Sequence, residues 1–168
     1  FVKYRDSDGK WHNLEATSGA SFARDVWMGQ LFPMTEKSVA TGIYMRPLTR
    51  KETVGVMLGT LMEHYSALGM SEQRIALARL VLQYDPRSIT AILHQHGAYL
   101  TMWRQEFEGR YQSRATVPQE RLARFDELDG RLKALYHQAH ALGWRPLTQA
   151  DEEKYEASIR RARAVHQP

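Results

Sequence analysis

Residues 47–86 read PLTRKETVGVMLGTLMEHYSALGMSEQRIALARLVLQYDP, and this stretch decides the fold. Thr49 and Glu52 form a Thr-x-x-Glu capping box, in which each side chain satisfies the other residue's free backbone N–H. Val54, Leu58, Leu61, Tyr65 and Leu68 then recur at helical spacing, which predicts a helix with one apolar face. Gly69 suits the residue just past the end of that helix. Ser71 is expected to cap a second helix whose apolar face is Ile75, Ala78, Val81 and Leu82. Asp85-Pro86 stops it, because proline disfavours a helical residue before it. Two amphipathic helices joined at a glycine make a helical hairpin, an arrangement suited to binding other chains.

Helical patterning continues toward the C-terminus. A third helix is expected from near Ser88, with Ile89, Ile92, Leu93, Tyr99, Leu100, Trp103 and Phe107 as its apolar positions. Residues 112–117 are a polar break. Thr116-Val117-Pro118-Gln119 combines a cap residue, an early proline and a glutamine at the capping-box position. The fourth helix carries Leu122, Phe125, Leu128, Leu132, Leu135, Tyr136, Ala139 and Leu142, and Gly143 ends it. Thr148, with Asp151 three residues on, starts the last helix, which carries Tyr155, Ile159, Ala162 and Val165. Arg160, Arg161 and Arg163 near its end suit the helix dipole.

Toward the N-terminus the pattern changes. Phe1 to Arg5 alternates like a strand, Asp6-Ser7-Asp8-Gly9 is a turn, and Trp11 to Thr17 resumes the alternation. A β-hairpin over Phe1–Thr17 follows. Ser18 to Ser21 is expected to be a loop, Phe22 to Phe32 a short helix ended by Pro33, and Glu36 to Arg46 a connector with an extended piece at Ile43–Met45. A two-stranded hairpin is marginal alone in water, so it must pack on something else. The chain opens within a strand and without an initiator Met, which reads as part of a longer protein.

Composition narrows the function classes. The 168 residues are 43% hydrophobic and 25% charged, values of an ordinary globular chain large enough for its own core. The net charge of +4 is spread among interleaved charges of both signs, which argues against a nucleic-acid binder. No apolar run is long enough to span a bilayer. With no cysteine there is no thiolate ligand, disulfide or cysteine nucleophile among these residues. Lack of cysteine suits cytosol and periplasm equally. No phosphate loop or dinucleotide fingerprint is present, and no cofactor is expected.

Leu58, Leu61, Tyr65, Gly69, Ala78, Val81 and Pro86 fall at spacings that resemble a tetratricopeptide-type repeat. Met62 departs from that pattern where a small residue is usual, and Arg74 where alanine is usual. Gly97, within LHQHGAYL, resembles the small residue of a second unit. The resemblance implies a short stack of antiparallel helical hairpins that binds a peptide or protein partner.

Gly9-Lys10-Trp11-His12-Asn13-Leu14-Glu15-Ala16-Thr17 resembles the G-x-W-x-x-x-D-P-T strand of transglutaminase-like domains, which are papain-related. There the strand carries the third member of a Cys-His-Asp triad. The resemblance puts Glu15 at the aspartate position, with the histidine and cysteine expected ahead of Phe1. Ala16 stands where proline is usual. Some bacterial members continue into a helical tail similar to the Pro47–Pro86 stretch. The resemblance implies that residues 1–46 end such a domain and that residues 47–168 form a helical interaction or regulatory region. A stand-alone helical adaptor is the alternative.

Few side chains propose chemistry. Glu15 could orient a catalytic imidazole only if the rest of a triad were supplied. His12 and Asn13 share its strand, with no nucleophile nearby in sequence. His137 and His140 share a helix face but lack further ligands, and His94 and His96 point to different sides of a helix. Neither pair is expected to hold a metal. The whole reads as a mainly α protein of antiparallel helical hairpins with a short N-terminal β-hairpin.

Overall fold

The computed structural model describes residues 2–15, 21–23 and 33–165. The chain falls into two units, residues 1–47 with 144–168, and residues 48–143. The last helix, grouped on sequence with the other helices, thus belongs to the unit of the N-terminal segment.

In the first unit, β1 (Val2–Arg5), β2 (Trp11–Glu15) and β3 (Ser21–Ala23) form an antiparallel sheet in that order. The expected hairpin is present, with Val2 opposite Leu14 and Arg5 opposite Trp11. Its turn closes because Asp6 Oδ1 accepts the N–H groups of Asp8 and Lys10 while Gly9 takes φ +82°. The expected loop and helix after it need correction. Ser21–Ala23 is a strand, with Leu14 opposite Phe22. Residues 24–32, where the helix was expected, lie outside the described residues, as do Phe1 and Ala16–Ala20. A second correction concerns only Ile43–Met45 in the connector, whose state the sequence otherwise leaves open. Glu36–Ala40 forms a short helix, α1, started by a Thr35–Ser38 capping box. Met45 is not extended: its φ is +65°, and its carbonyl accepts from Lys3 Nζ at 2.6 Å. Residues Gln149–Val165 form the long helix of this unit, here numbered α6. Thr148 and Asp151 exchange capping bonds as expected, and Arg145 grips the Asp151 carboxylate with both Nη atoms. That grip, with the Thr148 bonds, holds the Asp151 carboxyl well below the usual carboxylate range.

The second unit is a stack of four helices, α2 (Arg50–Ala67), α3 (Ser71–Tyr84), α4 (Ile89–Phe107) and α5 (Gln119–Ala141). Each packs chiefly on its chain neighbours. The Thr49–Glu52 capping box starts α2. Its end is a Schellman motif: Met70 N–H bonds Tyr65 O, Gly69 N–H bonds Ser66 O, and Gly69 sits at φ +69°. Ser71 does not cap α3. Met70 holds the cap position with no side-chain bond, and Ser71 is already helical. α4 starts after Ser88, as expected, and the Ser88 hydroxyl caps it by accepting from Ala91 N–H. The expected Thr116–Gln119 box does not form, because Thr116 lies in a single 3-10 turn (Arg114–Thr116) and its hydroxyl bonds Ser113. Pro118 takes the cap position of α5 instead.

Packing explains both departures from the repeat pattern. Met62 is fully buried and fits because Ala78 and Ala91 opposite it are small. Arg74 is admitted by Gly97: a Cβ there would lie 2.8 Å from its Nη2. Arg74 Nε donates to His94 Nδ1 at 3.1 Å, and Arg79 Nη2 donates to Tyr99 Oη at 2.8 Å. Positions 74 and 79 lie about 140° apart on a helix. The two arginines therefore brace opposite edges of the α3–α4 seam.

The α4–α5 seam is aromatic. Phe107 meets Phe125 edge-on at 5.2 Å between centroids, with Trp103 and Tyr111 at 6.4 and 6.2 Å. Arg121 lies over the Phe107 ring at 5.1 Å. Ion pairs link Arg114 to Asp126 and Arg124 to Glu106 nearby. Exposed pairs of this kind are screened by solvent and contribute little, whereas a buried phenylalanine side chain contributes several kcal/mol, about 3–5 on truncation. The rings hold this seam, and the charges orient it.

Candidate docking surface

The face that α2 buries is not its apolar stripe. Its buried residues are Gly55, Gly59 and Met62. A Cβ on Gly55 would lie 3.1 Å from Val81 Cγ1, and one on Gly59 would lie 3.3 Å from Thr90 Cγ2. The two glycines thus let α2 approach α3 and α4 closely. At about 100° per residue, this glycine seam lies roughly a quarter-turn or more around the helix from Val54, Leu61 and Leu68. The apolar face read from the sequence is consequently turned largely to solvent. Val54 is 53% exposed, Met57 68%, Leu61 38% and Leu68 59%, while Leu58 and Tyr65 are half-buried at its inner margin.

Beside the stripe lies a groove between α2 and α3 of about 320 Å³. Val54, Gly55, Leu58, Leu80, Val81 and Tyr84 line it. Leu80 and Tyr84 are exposed, so the apolar surface continues from α2 onto α3. Lys51, Glu52 and the buried Asp85 complete its lining. Lys51 Nζ sits 5.3 Å from the centre of the Tyr84 ring, and Glu52 is held in the capping box. The lining offers shape and apolar area rather than reactive groups. Contiguous exposed apolar surface beside a groove marks a candidate docking site.

The side chains named from sequence as candidates for chemistry do not assemble. Glu15 ends β2 opposite Ser21, and its strand is paired on both sides. His12 Nε2 lies 2.6 Å from Asp6 Oδ2, and its ring stacks on Tyr4 and meets the Phe22 ring at a tilt, each at 5.4 Å. The pair ties the β1–β2 turn and keeps the Asp6 carboxyl below its ordinary range. Asn13 is buried within the same strand. His140 packs on the Tyr136 ring at 4.3 Å, and His96 approaches that ring from α4 at 6.3 Å, while His137 is exposed. These histidines serve the α4–α5 contact. Among the described residues no group of three or more His, Cys, Asp or Glu side chains is placed to hold a metal ion. No helix among them is long and apolar enough to cross a membrane. Arg160 pairs with Glu156 one turn back, as a solvated helix face does.

His94 is the titratable group most exposed to consequence. Burial holds its pKa down, Arg74 adds to this, and Glu63 opposes it. Burial also lowers His96. A histidine held neutral in the fold is protonated first in the unfolded chain. Its contribution is therefore complete above the ordinary value of about 6.5 and is lost as pH falls from there through the lowered folded value. Melting temperature is expected to fall between pH 7.5 and 5, and His94→Gln is expected to flatten that slope. An unchanged slope in the variant would remove His94 from this account.

The glycine seam had a signal in the sequence. Two glycines four apart inside a predicted helix each cost about 1 kcal/mol of helix propensity, so close packing at that face was the reason to look for. Comparison with protein-family models, curated proteins and solved structures returned no match.

Proposed function

We propose that residues 48–143 form a docking module whose α2–α3 face takes an amphipathic helix of a protein or peptide partner. The observation that carries this reading is the exposed stripe Val54–Met57–Leu61–Leu68, which runs the length of α2 and opens into the groove. A helix laid along it would bury its own i, i+3, i+4 and i+7 residues against the stripe. Each aliphatic side chain so buried contributes about 2 kcal/mol, part of which offsets the several kcal/mol lost on association.

The test is a selection of displayed helical peptides on the immobilised full chain, followed by anisotropy titration of the best binder. Val54→Asp is expected to weaken that binder at least tenfold while leaving the melting temperature in place, because Val54 is exposed. Equal binding by wild type and variant, or failure to select any helix, counts against the reading.

A second reading makes this module the tail of a transglutaminase-like protein. The strand form of Trp11–Glu15, within the motif-like Gly9–Thr17 stretch, supports it. Its test is the coding sequence ahead of Phe1. The reading requires a cysteine and a histidine there in the spacing of that family.

A further inference from the structure

The occupant of this face can be named more narrowly from the stripe's own symmetry. Val54, Leu61 and Leu68 are spaced seven and seven, two helical turns on either side of Leu61. Met57 and Tyr65 likewise lie four residues to either side of it. Reversing the chain direction about Leu61 superposes Val54 on Leu68 and Met57 on Tyr65, apolar on apolar, while Leu58 falls opposite His64. A helix with that property matches an antiparallel copy of itself.

We propose that the helix docked on this face is α2 of a second copy of the chain, packed antiparallel across a two-fold axis at Leu61. This rests on the docking reading above and specifies its partner. In this register Leu61 meets the second copy's Leu61. Leu68 of each copy arrives over Val54 of the other, at the mouth of the groove lined by Leu58, Leu80 and Tyr84. The filler and the groove thus sit on the same helix pair, separated by about 21 Å along α2. A patch that carries both its own ridge and its own recess makes an isologous, closed contact. Opposed helix directions also set the two macrodipoles against each other favourably.

The area is sufficient. The exposed parts of Val54, Met57, Leu61, Leu68, Leu80 and Tyr84 present roughly 600 Å² per copy, so about 1,200 Å² in the pair, the lower bound for specific stable interfaces. A reversible dimer is the expected result.

Sedimentation equilibrium of the full chain across the micromolar range tests this, with Leu61→Arg and Leu61→Glu measured alone and mixed. Wild type is expected to be dimeric. Each variant alone is expected to raise the dimer dissociation constant at least tenfold, because like charges meet on the axis. Mixing the two is expected to restore the dimer mass as a heterodimer. A monomeric wild type, a dimer that survives in either variant alone, or a mixture that stays monomeric overturns the proposal. Circular dichroism checks that the variants keep the wild-type fold. Should Leu61 changes disturb it, Met57→Glu, at a 68% exposed position, serves in their place and must also weaken the dimer. A wild type that stays monomeric yet binds selected helices through Val54 sinks self-association and leaves the docking reading standing. Loss of both sinks both.

Discussion

Phe107→Ala is expected to lower the unfolding free energy by about 4 kcal/mol, read as a shift in the urea midpoint at 222 nm with little change in slope. Phe107 is 1% exposed, the largest side chain fully enclosed in the helical stack. Its ring meets Trp103, Tyr111 and Phe125, and supports the Arg121 guanidinium. Truncation removes the transfer energy of the ring and leaves a cavity that three other rings, each anchored on its own element, cannot collapse to fill. The neighbouring ion pairs do not compensate, since they lie at partly exposed positions. A loss below about 1 kcal/mol would mean that the α4–α5 seam is held by something other than this cluster.

Met62→Ala is expected to cost about 3 kcal/mol, although a tetratricopeptide-type pattern asks for a small residue at that position. The usual small residue lets two helices approach. Here Gly55 and Gly59 provide the approach one and two turns earlier, and Ala78 and Ala91 leave a space that Met62 fills. Restoring the small residue would empty the core where α2, α3 and α4 meet. The paired change Met62→Ala with Ala78→Met tests this geometry. Its cost is expected to be less than that of Met62→Ala alone, because side-chain volume is returned to the same space.

Elements specified by neighbours in sequence were legible. The Thr49–Glu52 and Thr148–Asp151 boxes, the helix start near Ser88, the stop at Asp85-Pro86 and the turn at Gly69 involve residues a few positions apart, and all stand where local chemistry puts them. Elements specified by distant partners were not. Ser21–Ala23 is a strand because β2 offers it an edge, and three residues cannot declare that alone. One local expectation failed as well: Thr116 is drawn into a turn with Ser113, three residues away, and so is lost as a cap for α5. The deepest difference is at α2. Periodicity locates an apolar stripe, and the usual assumption is that the stripe faces the core. Gly55 and Gly59 instead form the face that α3 and α4 approach closely, which leaves Val54 and Leu61 exposed. The proposed docking surface was thus visible in the sequence as a row of residues and invisible as a surface.

The stack of α2 to α5, with each helix resting chiefly on its chain neighbours, also sets how motion is distributed. A helix at the end of such a row has a neighbour on one side only, so its amides open and exchange with solvent through a smaller barrier than those of α3 and α4 between them. A second helix laid on the stripe turns α2 from an end of the row into an interior member. Occupancy of the face is then expected to be recorded in the backbone as slowed deuterium uptake along residues 50–67, so that the proposed partner, bound only by side chains, would also determine how long α2 stays wound.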